Sequence, residues 1–243
     1  MIFGTTAGLA VARFGARRLI IAALFAGAAI SGLQATGLPL GAMIASRVIE
    51  GVAHLMIVVA GPVLIAGLAR PRDQAAAMTL WSTFFGLAFT ITALAGLPFA
   101  HTFGPRALWA LHGALMAGAG GLLIATLPRE AARPAPAPMN LRAVLADHAA
   151  IYADPRVGAP ALGFVFYTLI FVAALTLVPG LVAPAHRELT ASLMPLVSIA
   201  SSLGLGVQLT RRLGAVRTAE IGFAGGALAA PAWAIGGDLG QVA

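Results

Sequence analysis

Long apolar runs, broken by arginine clusters and by glycine or proline, leave this chain few ways to fold. Five are unambiguous, over residues 19–33, 40–69, 75–100, 108–127 and 157–182, and two more follow at 192–209 and 218–236. Each is richer in Ala, Leu, Ile, Val and Phe than a solvated helix could be. Helices are the expected form, because a bilayer core offers backbone groups no water and the runs lack strand alternation. The run from Leu40 exceeds what a bilayer needs and contains Gly61-Pro62, so a tilted or kinked helix is expected. The reading is an all-α polytopic membrane protein with about seven full crossings.

Composition supports this. Hydrophobic residues make up 60% of the 243, while fifteen basic and eight acidic residues carry all the formal charge. A soluble domain has about 25% charged residues, and a disordered chain needs low hydrophobicity, so neither class fits. The absence of cysteine excludes disulfides, thiolate metal sites and thiol catalysis. A net charge of +7 could suggest nucleic acid. That reading requires a basic face on a soluble domain, and here the bases border apolar runs. No nucleic-acid partner is expected; the partner that composition implies is the lipid bilayer.

All fifteen bases are arginine. Arg13, Arg17, Arg18, Arg70, Arg72, Arg129, Arg133, Arg142, Arg156, Arg211, Arg212 and Arg217 fall in alternate loops, on one side of the expected topology. Arg106 and Arg187 fall on the other, and Arg47 lies within a span. The positive-inside rule makes the twelve-arginine side cytoplasmic. Arginine without lysine, with abundant alanine, suggests a GC-rich bacterial genome and so an inner-membrane location. The first twelve residues are apolar but too short to span. They lack the charged start and cleavage site of a signal peptide, and read as the end of a helix whose beginning is absent.

The longest polar segment divides the chain. Residues 1–127 form one expected bundle, 128–156 a linker and 157–243 a second bundle. The linker's proline-rich start should be extended and semi-rigid. After it, Leu141, Val144, Leu145, Ile151 and Tyr152 recur at helical spacing among Arg142, Asp147 and His148. This suits an amphipathic helix on the membrane surface or a short soluble connector helix.

An internal repeat narrows the class. Arg13-Phe14-Gly15-Ala16-Arg17-Arg18 matches Arg212-Leu213-Gly214-Ala215-Val216-Arg217 at four of six positions, 199 residues apart. A glycine amid arginines permits a tight turn between helices, and the arginines can meet helix C-terminal carbonyls and anionic headgroups. With Gly8 ahead of Arg13, Gly15, Arg17 and Arg18, the first copy resembles the signature loop of the major facilitator superfamily. That family repeats the loop in its second half, where Arg212, Gly214 and Arg217 stand here. Arg47-Val48-Ile49-Glu50-Gly51 is similar to a second family motif, in the fourth helix.

The resemblance implies two parallel helix bundles, a small-molecule substrate as partner, and secondary transport of that small solute by alternating access, with efflux or uptake open. It places the chain from the end of helix 2 to helix 9, a fragment lacking helix 1, most of helix 2 and helices 10–12. The family's cavity uses helices 1, 4, 7 and 10, of which 4 and 7 would be present. A non-transporting fragment or membrane scaffold needing partner helices is therefore the alternative. Two departures stand out. The signature aspartate is replaced by Ala12 (by Arg211 in the second copy), and Gly86 and Gly96-Leu97-Pro98 do not reproduce the antiporter motif of helix 5.

Intramembrane ionisable residues are costly and usually face a protein interior or wet cavity. Arg47, Glu50 and His54, three and four residues apart, share one helix face. Glu50 can pair with Arg47, and His54 could exchange a proton near neutral pH, so a substrate-anion or proton-coupling site is expected. A charge pair that fastens helix 4 to a neighbour is the plainer reading. Tyr167 in helix 7 could line the cavity. His112 reads as a lone packing histidine, Ser198, Ser201 and Ser202 as small residues for close helix contact, and Trp81, Trp109 and Trp233 as anchors or packing. Asp238 should be solvated. No HExxH, phosphate loop, paired-carboxylate motif or nucleophile elbow appears, so no enzyme activity, metal or cofactor is expected.

Overall fold

A computed structural model describes residues 4–128 and 141–239. The proline-rich stretch 129–140, with Arg129 and Arg133, lies outside the described residues, as do the side chains of Trp233 and Asp238. Every regular element among the described residues is helical. In order they are α1 (Gly4–Phe14), α2 (Ala16–Ala35), α3 (Leu40–Leu68), α4 (Gln74–Ser82), α5 (Phe84–Ile91), α6 (Leu97–Phe103) and α7 (Pro105–Thr126). From residue 141 onward come α8 (Leu141–Ala153), within the expected linker, then α9 (Pro155–Leu181), α10 (Arg187–Ser201), α11 (Val207–Leu213) and α12 (Ala215–Leu239).

Six stretches among the described residues are long and apolar enough to cross a membrane: Ala16–Ala35, Leu40–Leu68, Ala76–Phe103, Pro105–Thr126, Leu162–Leu181 and Pro184–Leu213. The seventh expected span, 218–236, is helical within α12 but is not among them. Arg217, Glu220 and Asp238, with several glycines and Pro231, dilute its apolar character. The runs at 75–100 and 192–209 are also not single α-helices. The first contains a π-helical turn at Thr92–Gly96, the second one at Ser202–Gly206. α3 instead runs unbroken through Pro62.

The chain divides into two compact units. The first comprises Met1–Met78 and Pro98–Pro155, the second Thr79–Leu97 and Arg156–Ala243.

In the first unit α2 packs against both α3 and α7, and α1 against α3. Its core sets two alanines among larger apolar side chains: Val11, Ala16, Ile20, Leu24, Ala60 and Met116. Small residues let backbones approach, which drives helix association where lipid is as apolar as leucine. The backbones of α2 and α7 come close at Gly113 of α7. A Cβ there would lie 3.0 Å from the Ala28 carbonyl oxygen and 3.3 Å from Ser31 Cβ of α2. Large apolar side chains also face outward, Leu40 being 77% and Val48 68% exposed, while the polar Gln34 and Ser31 are fully buried beside the apolar core. Hydrocarbon accommodates such apolar faces and leaves polar groups to find their partners inside.

α8 forms where the apolar spacing predicts a helix. One face meets α1: Thr6 Oγ1 lies 3.2 Å from His148 Nε2, and Thr5 Oγ1 donates to the Tyr152 hydroxyl at 3.5 Å. His148 Nδ1 donates to the Val144 carbonyl (2.7 Å), so Nε2 accepts the Thr6 hydroxyl when the ring is neutral.

In the second unit α5 and α10 meet at Gly86, where a Cβ would lie 3.0 Å from the Pro195 carbonyl oxygen. Ser192 and Pro195 are buried at this contact, whereas Ser201 and Ser202 are exposed. Ser201 and Ser202 thus lie outside the close packing expected of them, while Ser198 is half-buried. Phe89 of α5 meets Phe171 of α9 edge-on, with ring centroids 6.3 Å apart.

Candidate functional site

The site grows from α3. Helical spacing puts Arg47, Glu50 and His54 along one face, and Glu50 is 1% exposed. A carboxylate buried this deeply is tolerated only when its lone pairs are used. Glu50 Oε2 accepts from the Arg47 guanidinium and from Gln34 Nε2 at 2.9 Å. Oε1 accepts from Ser31 Oγ at 3.2 Å. Gln34 Nε2 also donates to Ser46 Oγ (3.0 Å), which donates to the Met43 carbonyl (2.7 Å). The amide oxygen of Gln34 is buried without a partner among the described residues.

α7 supplies the opposite wall. His112 Nδ1 lies 2.8 Å from Ser31 Oγ and 3.7 Å from Glu50 Oε1. Its ring is parallel to that of His54 within 4°, with centroids 6.0 Å apart. The reading of His112 as an isolated packing residue is therefore corrected. Its neighbour Gly113 lets α7 approach α2 closely enough for the imidazole to reach Ser31. Trp109, one turn earlier, is no mere anchor, since the Arg47 guanidinium lies over its ring, 4.9 Å from the centroid. Arg47 is thus held by a carboxylate and an aromatic face while its side chain stays 48% exposed. His54 Nδ1 lies 3.1 Å from the Glu50 carbonyl oxygen. Since a carbonyl only accepts, that nitrogen carries a proton, and in the neutral ring Nε2 is the one with the lone pair.

Sequence reasoning missed Ser31, Gln34, Ser46, Trp109 and His112. A signal existed: Ser31 and Gln34, three apart, are the two polar side chains in the run 19–34, and a helix places both on one face.

Tyr167 belongs to the second unit. It stacks on Phe171 (5.6 Å between centroids) and lines an apolar groove of about 1110 Å³ with Phe166, Leu193, Met194 and Phe223. Trp81 packs against Phe84 at 4.7 Å.

The repeated loops share one backbone form. Gly15 has φ 92° and Gly214 φ 82°, values open to glycine but strained for L side chains. In each, the glycine N–H bonds the carbonyl four residues back (Val11, Thr210) at 3.0 Å, and its carbonyl accepts from the residue four ahead (Leu19, Thr218) at 3.2 Å. Arg17 donates to the Ile124 carbonyl (3.3 Å) in the last turn of α7, the helix-end contact expected of these arginines. Arg13 lies over the Phe14 ring at 5.3 Å. Arg18, Arg212 and Arg217 are exposed, and Gly8 sits mid-α1 with open space beside it.

Apolar-faced helices around a buried carboxylate paired with a half-exposed arginine define a polytopic α-helical membrane protein. The family model described as Major Facilitator Superfamily matches residues 1–242. The chain belongs to that superfamily and is a membrane transporter of the major facilitator kind. No curated protein and no solved structure matches it.

Proposed function

We propose that the protein is a secondary active transporter that moves a small solute by alternating access, with the Arg47–Glu50 pair on its transport path. One observation carries this: a carboxylate fully buried in a membrane span, satisfied by three donors, with its arginine partner half exposed on Trp109. A pair serving only to fasten α3 would bury both charges. Here the buried half is locked while the cation faces outward, available to an anionic group on a substrate. Glu50 and His54 supply groups for proton coupling, and Tyr167 an aromatic hydroxyl on the second unit's groove. No ATP is required, and the binding energy that shifts the two access states comes from the solute's differential contacts.

The arrangement proposed is a first bundle over 1–127, a linker over 128–156 and a second bundle over 157–243. The arginine-rich loops, including both signature copies, face the cytoplasm of a bacterial inner membrane. With Ala12 and Arg211 where the family's signature aspartate stands, these loops hold their helices through backbone geometry, the first also through the Arg17 contact to the Ile124 carbonyl.

The test is vesicle transport by wild type and Arg47→Ala. Transport is expected to be lost while membrane insertion and helix content are kept. Unchanged uptake and efflux would remove Arg47 from the path.

A further inference from the structure

We propose that Glu50, His54 and His112 bind one divalent transition-metal cation of the Zn²⁺ class, tying α3 to α7. Each offers a donor atom, and the three atoms lie within 4.8 Å of one another. Bonds of about 2 Å in a tetrahedral site put donors roughly 3.3 Å apart, so side-chain rotation over about an ångström closes the set around an ion. Two imidazoles and a carboxylate are a donor set this cation favours, and the remaining position is open to water or solute.

The surrounding bonds suit this role. His54 donates Nδ1–H to the Glu50 backbone carbonyl, so in the neutral ring Nε2 is the nitrogen open to an ion. Metal-binding histidines are ordinarily oriented in this way by a carbonyl or carboxylate on the other nitrogen. Glu50 is split in function. Arg47 and Gln34 hold Oε2, while Oε1 is turned to Ser31 and His112, the side on which an ion would sit. Ser31 Oγ, between Oε1 and His112 Nδ1, now fills the contact that the ion would replace. The three donors come from two helices, so a bound ion cross-links them and restrains any sliding of α3 on α7.

The site shares Glu50 and His54 with the proposed transport path but does not depend on transport occurring. The experiment uses the full chain in lipid nanodiscs, with Zn²⁺ titrated calorimetrically and Co²⁺ as the visible-absorption probe. One saturable ion per chain is expected, with a Co²⁺ band from nitrogen ligation. His54→Ala and His112→Ala should each weaken binding by about tenfold or more. His112→Asn, which keeps a hydrogen bond to Ser31, is read the same way if the alanine variant loses helix content. The chain's other histidines, His101, His148 and His186, replaced together, should leave affinity unchanged. Absence of saturable one-to-one binding, unaltered affinity in the His112 variants, or loss in the triple variant would overturn the site. Any of these leaves the role of Arg47 to its own transport assay.

Discussion

Glu50 shows how one carboxylate can organise a membrane interior. Its charge is kept in the span by Arg47, Gln34 and Ser31, so each partner matters through what its removal leaves behind. Gln34→Leu takes away one donor and should cost about 1–3 kcal/mol, read as earlier loss of helix signal in detergent titration with SDS. The complementary case is Gly113. Its missing Cβ allows the α2 backbone within van der Waals contact, and Gly113→Val should destabilise by about 1–3 kcal/mol through overpacking. The same change should separate His112 from Ser31, seen as an altered His112 ring signal in NMR. Arg47, Glu50 and His54 were legible in the sequence because charge within an apolar run is conspicuous and helical spacing puts the three on one face. His112 was not. It stands 58 residues beyond His54, and only the α2–α7 approach brings its ring to Ser31.

At the level of elements, the signature turn is defined by its backbone. Gly15 and Gly214 share a positive φ and the same pair of hydrogen bonds, although Phe14 and Leu213 differ beside them. Gly104 repeats the pattern between α6 and α7, with φ 85° and its N–H on the Ala100 carbonyl at 2.9 Å. A second correspondence runs at an offset of 110 residues. The π turns Thr92–Gly96 and Ser202–Gly206 are each followed by a seven-residue α-helix and then by Gly104 or Gly214. The helix–glycine–helix element is thus one device used repeatedly, detectable in sequence only where arginines also matched. Alanine at Gly15 or Gly214 forces an L side chain into the left-handed region, at about 1–2 kcal/mol each. Faster hydrogen exchange at the Leu19 and Thr218 amides is the expected readout.

For the whole molecule, six sufficiently apolar helical stretches among the described residues and the family assignment make an integral multi-pass membrane protein. The proposed orientation has a direct check, helped by the absence of native cysteine. A single cysteine at Asp73, beside Arg70 and Arg72, should react with an impermeant maleimide only from the cytoplasmic side. One at His186, beside Arg187, should react only from the opposite side. Reversed labelling would overturn the arginine-based topology.

The sequence by itself determined the solvent, the helical class, the positions of six spans and the family. All of these follow from local quantities: run length, charge placement and short motifs whose physics acts within a turn or two of helix. The tertiary structure decided which polar groups share a neighbourhood. Ser31 and Gln34 from α2, Glu50 and His54 from α3, and Trp109 and His112 from α7 meet because small residues let three helices close on one another. That closeness depends on side-chain fit between segments distant in the chain, which no local pattern encodes. The apolar runs specify that the chain enters a membrane, and the Gly113 contact specifies what it holds there.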